Sequence, residues 1–420
     1  NKGDRVHPEY RSRWVAKDYK DGNRPDLFAA TPPLEALKML ISIWMTEGYG
    51  WINGGGERRE RYKMEFIDVR RAYFHADAIR EVFIELPDED KEEGMCGLLN
   101  KSMYGTRDAA QNWEHAYIEF LETTGFQSGT ATPCVFHNRD RDIRVVVHGD
   151  DFTVLATSNR FEVKFRGRLG PAETDDKSIR ILNRVVSGTT EGLEYEADQR
   201  HAEIIVQSLG LSSASKPVNT PSQKLMKNPD HPLSQEDSTR YRALVARANY
   251  LAQDRADIGF ATKELCRTMS KPHQSDWESL KRLGRYLLGK TRVVTRYDYQ
   301  SLPETVDVTV DTDFAGCLTT RKSTSGGIVK IGDHCLKTWS SNQAVIALSS
   351  GEAEFYGIVK GATQAMGIAG ILKDLGVNLL VSLSTDSSAA KGIANRRGLG
   401  KMRHIELSEA WVQDRVAKGQ

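Results

Sequence analysis

The chain has 420 residues, a formal net charge of +1 and a hydrophobic fraction of 39%. This length suffices for two or three domains that each bury a core. The balanced charge argues against a module that binds nucleic acid by bulk electrostatics, although a locally basic groove is compatible with it. The five cysteines show no C-x-x-C spacing, so the sequence indicates neither a zinc knuckle nor a disulfide framework and favours reduced thiols in an intracellular protein. No apolar run approaches the roughly 20 residues of a membrane span.

The first acidic motif follows a predicted strand. Residues 63–67 are rich in apolar side chains and lead into Asp68, and a helix-compatible segment comes next. A carboxylate at a strand end can share a divalent cation with a second acidic site. Tyr73 lies shortly after Asp68 and has two interpretations. It could stack on the sugar of an incoming nucleotide, or it could be a core tyrosine on a helix face, and the spacing does not choose between them.

The most informative feature is a near-continuous apolar run over residues 145–155 that is broken by His148-Gly149-Asp150-Asp151. Apolar residues on both sides of a tight polar break predict a strand–turn–strand hairpin, and Gly149 can supply a positive φ. Adjacent carboxylates repel each other unless a cation neutralises them. Hard divalent cations suit this role. The alternative is a solvated turn, since Gly-Asp-Asp is also ordinary turn chemistry.

The middle of the chain is predicted to be mainly helical. A helical pattern begins at Gln199, with Ile204, Ile205 and Leu209 assigned to one face, and a proline-rich linker follows. Residues 241–288 show apolar residues at helical spacing. The basic segment 281–290 could lie along phosphates, although a solvated amphipathic face is the commoner explanation of such a run.

The last third predicts three strands, a helix, a strand and a helix. The first strand delivers Asp311 and Asp313, and the two others cover residues 326–331 and 334–339. A long helix is expected to begin at Ser349 or Ser350 and to reach about Leu375.

The acids of this region have a structural explanation as well as a functional one. Glu352 and Glu354 stand in the first turn of the long helix, where they suit the helix dipole. Asp386 ends the fourth strand and could cap the helix expected from Ser387. Spacing alone therefore does not distinguish helix capping from catalysis.

A series of motifs in fixed order resembles the reverse transcriptase and ribonuclease H portion of a copia-type LTR retrotransposon Pol polyprotein. The matching segments are residues 13–17, 28–32, 68–73, 101–113, 148–151, 311–316, 321–326, 347–355, 386–390 and 403–406. The resemblance covers almost the entire chain. Departures include His148-Gly149 in place of Tyr-Val, Asn183 in place of a glycine, and Glu406 in place of an aspartate.

This resemblance implies a fold that combines α+β and α/β structure. It places the fingers, palm and thumb of a right-hand polymerase over residues 1–215, a linker and helical connection over 216–300, and a ribonuclease H-like domain over 301–420. It also implies an RNA-directed DNA polymerase with ribonuclease H activity on RNA–DNA hybrids. The alternative is a decayed, non-catalytic nucleic-acid-binding relic, which predicts lost acids.

The resemblance also implies the residues of two sites. The palm site would use Asp68, Asp150 and Asp151 as metal ligands and catalytic groups, with Tyr73 as a substrate contact. The implied ligands of the C-terminal site are Asp311, Glu354, Asp386 and Glu406, with Glu354 preferred to Glu352 because an aromatic residue follows it.

The implied cofactor is Mg²⁺ in two-metal sites, with Mn²⁺ as a substitute. The implied partners are an RNA template, a DNA primer, an RNA–DNA hybrid and deoxynucleoside triphosphates, without a membrane. The implied location is a cytoplasmic retrotransposon particle with access to the nucleus. The sequence does not determine the oligomeric state.

Overall fold

The structure of the chain is a computed structural model. It describes residues 14–19, 22, 27–54, 57–157, 168–169, 178–223, 231–398, 400 and 410–419. The α-helices in these ranges are α1 (Leu34–Trp44), α2 (Ala109–Thr123), α3 (Arg200–Ser208), α4 (Gln235–Ala252), α5 (Ala256–Cys266), α6 (Gln274–Gly289), α7 (Ser350–Asp374), α8 (Ser388–Asn395) and α9 (Trp411–Ala417). A short 3₁₀-helix covers Ala72–His75. None of the helices in the described part is long and apolar enough to cross a membrane.

The strands of the described residues form five sheets. They are β1 (Trp51–Gly54), β2 (Glu57–Glu60), β3 (Lys63–Asp68), β4 (Phe83–Ile84), β5 (Gly97–Leu98), β6 (Gln127–Ser128), β7 (Val135–Asn138), β8 (Ile143–His148), β9 (Asp151–Ala156), β10 (Arg168–Leu169), β11 (Ser178–Ile181), β12 (Arg184–Gly188), β13 (Gly192–Ala197), β14 (Val294–Asp298), β15 (Thr305–Thr312), β16 (Thr324–Ile331), β17 (His334–Asn342) and β18 (Leu380–Ser384). Strands β1 and β2 form one two-stranded sheet, and β4 and β5 form another.

The chain divides into two compact units. The first comprises the described residues of Asn1–Leu40, Arg61–Pro171 and Gly370–Val377, and the second comprises those of Ile41–Glu60, Ala172–Ala369 and Asn378–Gln420. Both units contain helices and strands, so the predicted mixture of α and β structure is confirmed. The division into three domains at residues 215 and 300 follows the order of motifs rather than compactness, and it stays a prediction.

A six-stranded antiparallel sheet forms the framework of the first unit, with the strand order β10-β3-β9-β8-β7-β6. Strands β8 and β9 are joined by the turn Gly149-Asp150, and Gly149 has a φ of +67°. A positive φ at the first turn residue alone is typical of a type II′ hairpin. The predicted hairpin is therefore confirmed. Strand β3 pairs with β9 so that Asp68 lies opposite Asp151.

Helix α2 packs against this sheet through an aromatic stripe. Trp113 and Tyr117 stand one helical turn apart, and both are buried. The Tyr117 ring lies 6.1 Å from Phe136 and 5.7 Å from Phe152, with near-perpendicular ring planes in both pairs. Edge-to-face contacts of this kind add to the free energy gained by burying the rings. The stripe holds α2 against β7 and β9, and so brings Trp113 to the β8–β9 hairpin.

Helices α3 to α6 share one apolar core in the second unit. The predicted apolar face of α3 is partly wrong: Ile205 is fully buried, but Ile204 is 37% exposed. Consecutive helical residues point about 100° apart, so these two neighbours do not share a face. Ala202 and Val206 complete the buried stripe instead.

The turn between β11 and β12 explains one departure from the family pattern. Leu182 and Asn183 have φ values of +45° and +62°. Both central residues of a type I′ hairpin turn need a positive φ, and asparagine tolerates this conformation better than other residues except glycine. Asn183 therefore fits a position where the family has glycine.

Arg255 joins α5 to the end of α6 and is only 1% exposed. Its guanidinium donates two hydrogen bonds to the Asp257 carboxylate, at 2.9 and 2.8 Å. It also donates to the carbonyl oxygens of Lys290 and Thr291, at 2.9 and 3.1 Å. These contacts satisfy carbonyl groups that the end of a helix leaves without partners.

We expect Arg255→Met to lower the free energy of unfolding by about 3–5 kcal/mol, because it leaves the Asp257 carboxylate and two carbonyls without their cation. Urea unfolding of the full chain measures the loss. The matched control is Arg296→Met, which breaks the exposed 3.2 Å pair with Asp298 and should cost less than about 1 kcal/mol. Equal losses in the two variants would contradict a structural role for the buried pair.

The C-terminal part of the second unit contains a four-stranded sheet in the order β17-β16-β15-β18, in which β18 runs parallel to β15 and the other pairs are antiparallel. The predicted order of three strands, a helix, a strand and a helix is observed, with β16 and β17 slightly longer than predicted. Helix α7 lies close to β15. A Cβ atom at Gly357 would come within 2.5 Å of Thr312 Oγ1, and one at Gly361 within 2.4 Å of Val310 Cγ1. Two glycines on one helix face therefore permit this close packing.

Candidate active sites

The first candidate site lies in the first unit, where β3 meets the β8–β9 hairpin. Asp68 is the last residue of β3 and is exposed, whereas Asp151 is the first residue of β9 and is half-buried. Asp150 is exposed in the turn, and its carbonyl oxygen accepts a hydrogen bond from the Val69 N–H at 2.9 Å. Sheet pairing thus brings together acids that are far apart in sequence.

The environment of Asp151 disfavours a negative charge. Burial, followed by the charges of Asp150 and Asp68, raises the pKa of Asp151 to about 6, although His148 opposes the shift. A nearby cation would reverse this effect because it favours the ionised carboxylate. The site is therefore electrostatically suited to a divalent cation.

This raised pKa predicts a stability that depends on pH. The ordinary pKa of the Asp151 carboxyl is 3.8 and its pKa in the folded protein is about 6. The folded state therefore holds the proton more tightly, and stability is lost as the pH rises from about 4 to 6. Asp151→Asn should stabilise the protein in EDTA at pH 8, and the gain should disappear below about pH 4. Urea unfolding across this pH range measures the gain in stability.

The control is Asp90→Asn, at an exposed acid of the same unit, which should leave the stability unchanged. A difference between Asp151→Asn and the parent that does not depend on pH would contradict the raised pKa of Asp151.

Trp113 supports the hairpin directly. Its Nε1–H donates to the Gly149 carbonyl oxygen at 2.8 Å, and the side chain is buried. From the sequence, Trp113 was recognisable only as the last residue of the 101–113 motif. The spacing of Trp113 and Tyr117 predicts that both lie on the buried face of α2. A buried indole N–H needs a hydrogen-bond acceptor, so this spacing could have indicated a contact between Trp113 and the backbone.

Tyr73 lies in the 3₁₀-helix and is half-buried against the core of the first unit. Its ring centroid is 4.6 Å from that of Tyr104, and the two planes are tilted by 36°. These contacts are those expected of a core tyrosine. A contact between Tyr73 and an incoming nucleotide stays a prediction.

The second candidate site lies in the second unit and combines Asp311 of β15, Glu354 of α7 and Asp386, which follows β18. One carboxylate oxygen from each residue lies within 4.8 Å of the others. Among the described residues, no other set of three His, Cys, Asp or Glu side chains is this close, so the acids of the first site are more widely spaced. The parallel pairing of β15 with β18 brings the ends of these strands together.

Glu354 is the buried member of this cluster, with 9% of its surface exposed. Burial, followed by the charges of Asp311 and Asp386, raises its pKa, while a hydrogen bond from the Thr312 backbone N–H opposes the shift. The Glu354 Oε2 atom is buried without a hydrogen-bond partner among the described residues. A buried oxygen of this kind is destabilising unless a donor or cation satisfies it. The cluster therefore fits a hard divalent cation.

Neighbouring residues perform the capping that was the alternative explanation of these acids. Ser349 Oγ accepts from the Glu352 N–H at 3.2 Å, and Glu352 Oε2 accepts from the Leu348 N–H at 3.1 Å. Glu352 is therefore part of the start of α7. In the same way Ser387, rather than Asp386, caps α8, because its Oγ accepts from the Ala390 N–H at 3.2 Å.

Other motif residues near the cluster support the loop after β15. Asp313 accepts a hydrogen bond from the Thr324 N–H at 2.6 Å. Ser323 is fully buried, and its Oγ accepts from the N–H of Ala315, which has a φ of +53°. The structural role of Ser323 was not predicted from the sequence. Glu406 and its neighbour His404 lie outside the described residues.

Comparisons with known proteins agree with the order of motifs. Residues 1–169 match the family model described as reverse transcriptase (RNA-dependent DNA polymerase). A retrovirus-related Pol polyprotein from transposon RE2 of Arabidopsis thaliana is 26% identical over 446 aligned positions, which cover 98% of this chain and 28% of the relative. Another, from transposon TNT 1-94 of Nicotiana tabacum, is 24% identical over 443 positions, covering 99% of this chain and 32% of the relative. A solved foamy viral protease–reverse transcriptase in complex with double-stranded DNA is 9% identical and covers 86% of this chain and 56% of that chain, with a TM-score of 0.39.

Residues 1–169 belong to the reverse transcriptase family, and almost the whole chain is similar to retrotransposon Pol polyproteins. The chain spans about a third or less of the length of these curated relatives. The family model ends at residue 169, before the Asp311–Glu354–Asp386 cluster.

Proposed function

We propose that the chain is an RNA-directed DNA polymerase that also cleaves the RNA strand of RNA–DNA hybrids. The observation that carries this proposal is the presence of two separate carboxylate groups at strand ends, one in each compact unit. Family membership supports polymerisation for the first group. For the second group, the support is the geometry of the cluster and the order of its motifs.

Both groups fit Mg²⁺ or Mn²⁺, because carboxylate oxygens are the ligands that hard cations prefer. Asp68, Asp150 and Asp151 would hold the cations of the first site, and Asp311, Glu354 and Asp386 those of the second, with Glu406 as a fourth ligand there. Such cations, when bound, polarise the attacking oxygen and stabilise charge that develops around phosphorus.

In the first site, hydrogen bonds within the protein hold the acidic residues in position. The hydrogen bonds from Trp113 to Gly149 and from Val69 to Asp150 hold the hairpin turn beside β3. Asp68 is thereby kept next to the two hairpin acids, as a transfer to a primer 3′-oxygen requires. Tyr73 would contact the incoming deoxynucleoside triphosphate, with the RNA template and DNA primer as partners.

In the second site Glu354 comes from a long helix whose backbone packs closely on β15. The exposed Asp311 and Asp386 would face the substrate side of the cluster. The substrate would be an RNA–DNA hybrid, which is distinguished from other duplexes by backbone geometry and 2′-hydroxyl groups. In this proposal the fingers, palm and thumb occupy residues 1–215, the connection 216–300 and the ribonuclease H-like domain 301–420.

Primer extension on a homopolymer RNA template, with Mg²⁺ and the complementary deoxynucleoside triphosphate, tests the polymerase. Release of fragments from a labelled RNA–DNA hybrid tests the nuclease in the same preparation. We expect both activities, and EDTA should abolish both. A folded chain that binds hybrid but performs neither reaction would indicate a non-catalytic relic and contradict the proposal.

A further inference from the structure

Gln343 belongs to a closed ring of hydrogen bonds beside the second site, and its side chain donates two of these bonds. It follows directly after β17, and its side chain is only 8% exposed. Its Nε2 donates to Ser325 Oγ at 3.0 Å and to the Ala353 carbonyl oxygen at 2.7 Å. Its backbone N–H donates to the Ser323 carbonyl oxygen at 2.8 Å. One amide group therefore links β16 to the first turn of α7.

The ring closes through Thr312, the last residue of β15. Thr312 is the register partner of Ser325, and its Oγ1 lies 3.4 Å from Ser325 Oγ. The Thr312 backbone N–H donates to the Glu354 carboxylate. Since Ala353 precedes Glu354 in the chain, the ring connects the backbone that carries Glu354 to the strand end beside it. A hydrogen-bonded network of this kind restrains all its members together.

The cluster needs such a restraint because its three acids repel one another. Without a cation, moving Glu354 and Asp311 apart lowers the electrostatic repulsion between their carboxylates. A cation would then have to bring them back together, and this reorganisation would weaken binding. Residues that hold metal ligands in place commonly change metal affinity by about 10- to 100-fold when they are mutated.

We propose that Gln343 is a positioning residue that holds Glu354 close to Asp311 and thereby strengthens cation binding at the Asp311–Glu354–Asp386 cluster. The inference rests on the proposed function of this cluster as a cation site. Gln343 acts through the Ala353 carbonyl and Ser325, and its own amide is a ligand neither of the cation nor of the substrate. It therefore changes how readily the site forms rather than the chemistry performed there.

Gln343→Met tests this role because methionine has a similar length and volume but donates no hydrogen bond. The variant is made in the full chain with Asp150→Asn, so that the first site contributes less to metal uptake. We expect the Mg²⁺ concentration for half-saturation, measured by titration calorimetry, to rise about tenfold. The Mg²⁺ dependence of hybrid cleavage should shift by the same factor, while the rate at saturating Mg²⁺ changes far less.

Gln300→Met is the matched control in the same unit. Gln300 Nε2 donates to Thr46 Oγ1 at 3.1 Å and to the Ile331 carbonyl oxygen at 3.2 Å, at the opposite end of β16 from Ser325. This variant loses comparable hydrogen bonds and should be less stable, but its Mg²⁺ affinity should be unchanged. A Gln343→Met midpoint within about twofold of the parent, or an equal shift in Gln300→Met, overturns the inference.

The parent protein separates this inference from the function on which it rests. Asp311→Asn should remove the Mg²⁺ uptake assigned to the cluster. If the parent shows no uptake that Asp311→Asn removes, the cation site itself is wrong and the inference falls with it. If that uptake is present and Gln343→Met leaves it intact, only the role of Gln343 is wrong.

Discussion

Asp150→Asn should abolish DNA synthesis while the same protein continues to cleave RNA–DNA hybrids, and Asp311→Asn should have the reverse effect. The two acids belong to different compact units, so the loss of a cation ligand in one leaves the other site's ligands in place. Each substitution is nearly isosteric and removes one negative charge. We expect the affected activity to fall at least about 10²- to 10³-fold, the loss typical of removing one group that stabilises transition-state charge.

Primer extension and hybrid cleavage are measured on the same preparations, with thermal unfolding as a check of folding. Asp90→Asn, at an exposed acid of the first unit, should retain both activities. A folded Asp150→Asn protein that loses both activities equally would show that the two acid groups do not act as separate sites.

Asp386→Asn and Ser387→Ala should have opposite effects although the two residues are neighbours. Asp386 belongs to the acid cluster, so its loss should lower hybrid cleavage about 10²- to 10³-fold and leave the metal-free protein equally stable or more stable. Ser387 caps α8 through the Ala390 N–H, so its loss should cost about 1 kcal/mol of stability and spare cleavage.

Urea unfolding in EDTA and a Mg²⁺ titration of cleavage distinguish the two roles. If Asp386→Asn lost about 1 kcal/mol of stability and cleaved normally, Asp386 would be a helix cap and the cluster would have lost a proposed ligand.

The sequence alone determined the elements whose signals are local. The hairpin around Gly149 follows from apolar runs on both sides of a turn sequence, and β15, β16 and β17 follow from the apolar pattern of their own residues. These patterns depend on residues within a few positions of one another. The order of family motifs added the acids of both sites, because each motif can be recognised without knowing what it contacts.

Helix faces were less well determined. Ile204 and Ile205 are equally apolar, and only the packing of α3 against its neighbours shows that Ile205 is the buried one.

The boundaries of the compact units could not be predicted from the sequence either. The end of α7 is assigned to the first unit, where Arg144 Nε donates to the Leu375 carbonyl oxygen at 2.7 Å and the Ala131 N–H donates to Asp374 at 2.8 Å. No local pattern indicates contacts between residues so far apart in the chain.

Tertiary structure also decided which polar residues support the two sites. Asp386 and Ser387 both suit a helix start, and the choice depends on where each side chain points relative to Asp311 and Glu354. Gln343 stood in a segment without a distinctive pattern, because its importance comes from hydrogen bonds to a strand and a helix that only the fold brings together. A sequence specifies which groups are available for chemistry. The distances that let carboxylates share a cation arise from the pairing of strands and the packing of α7, and these depend on the whole chain.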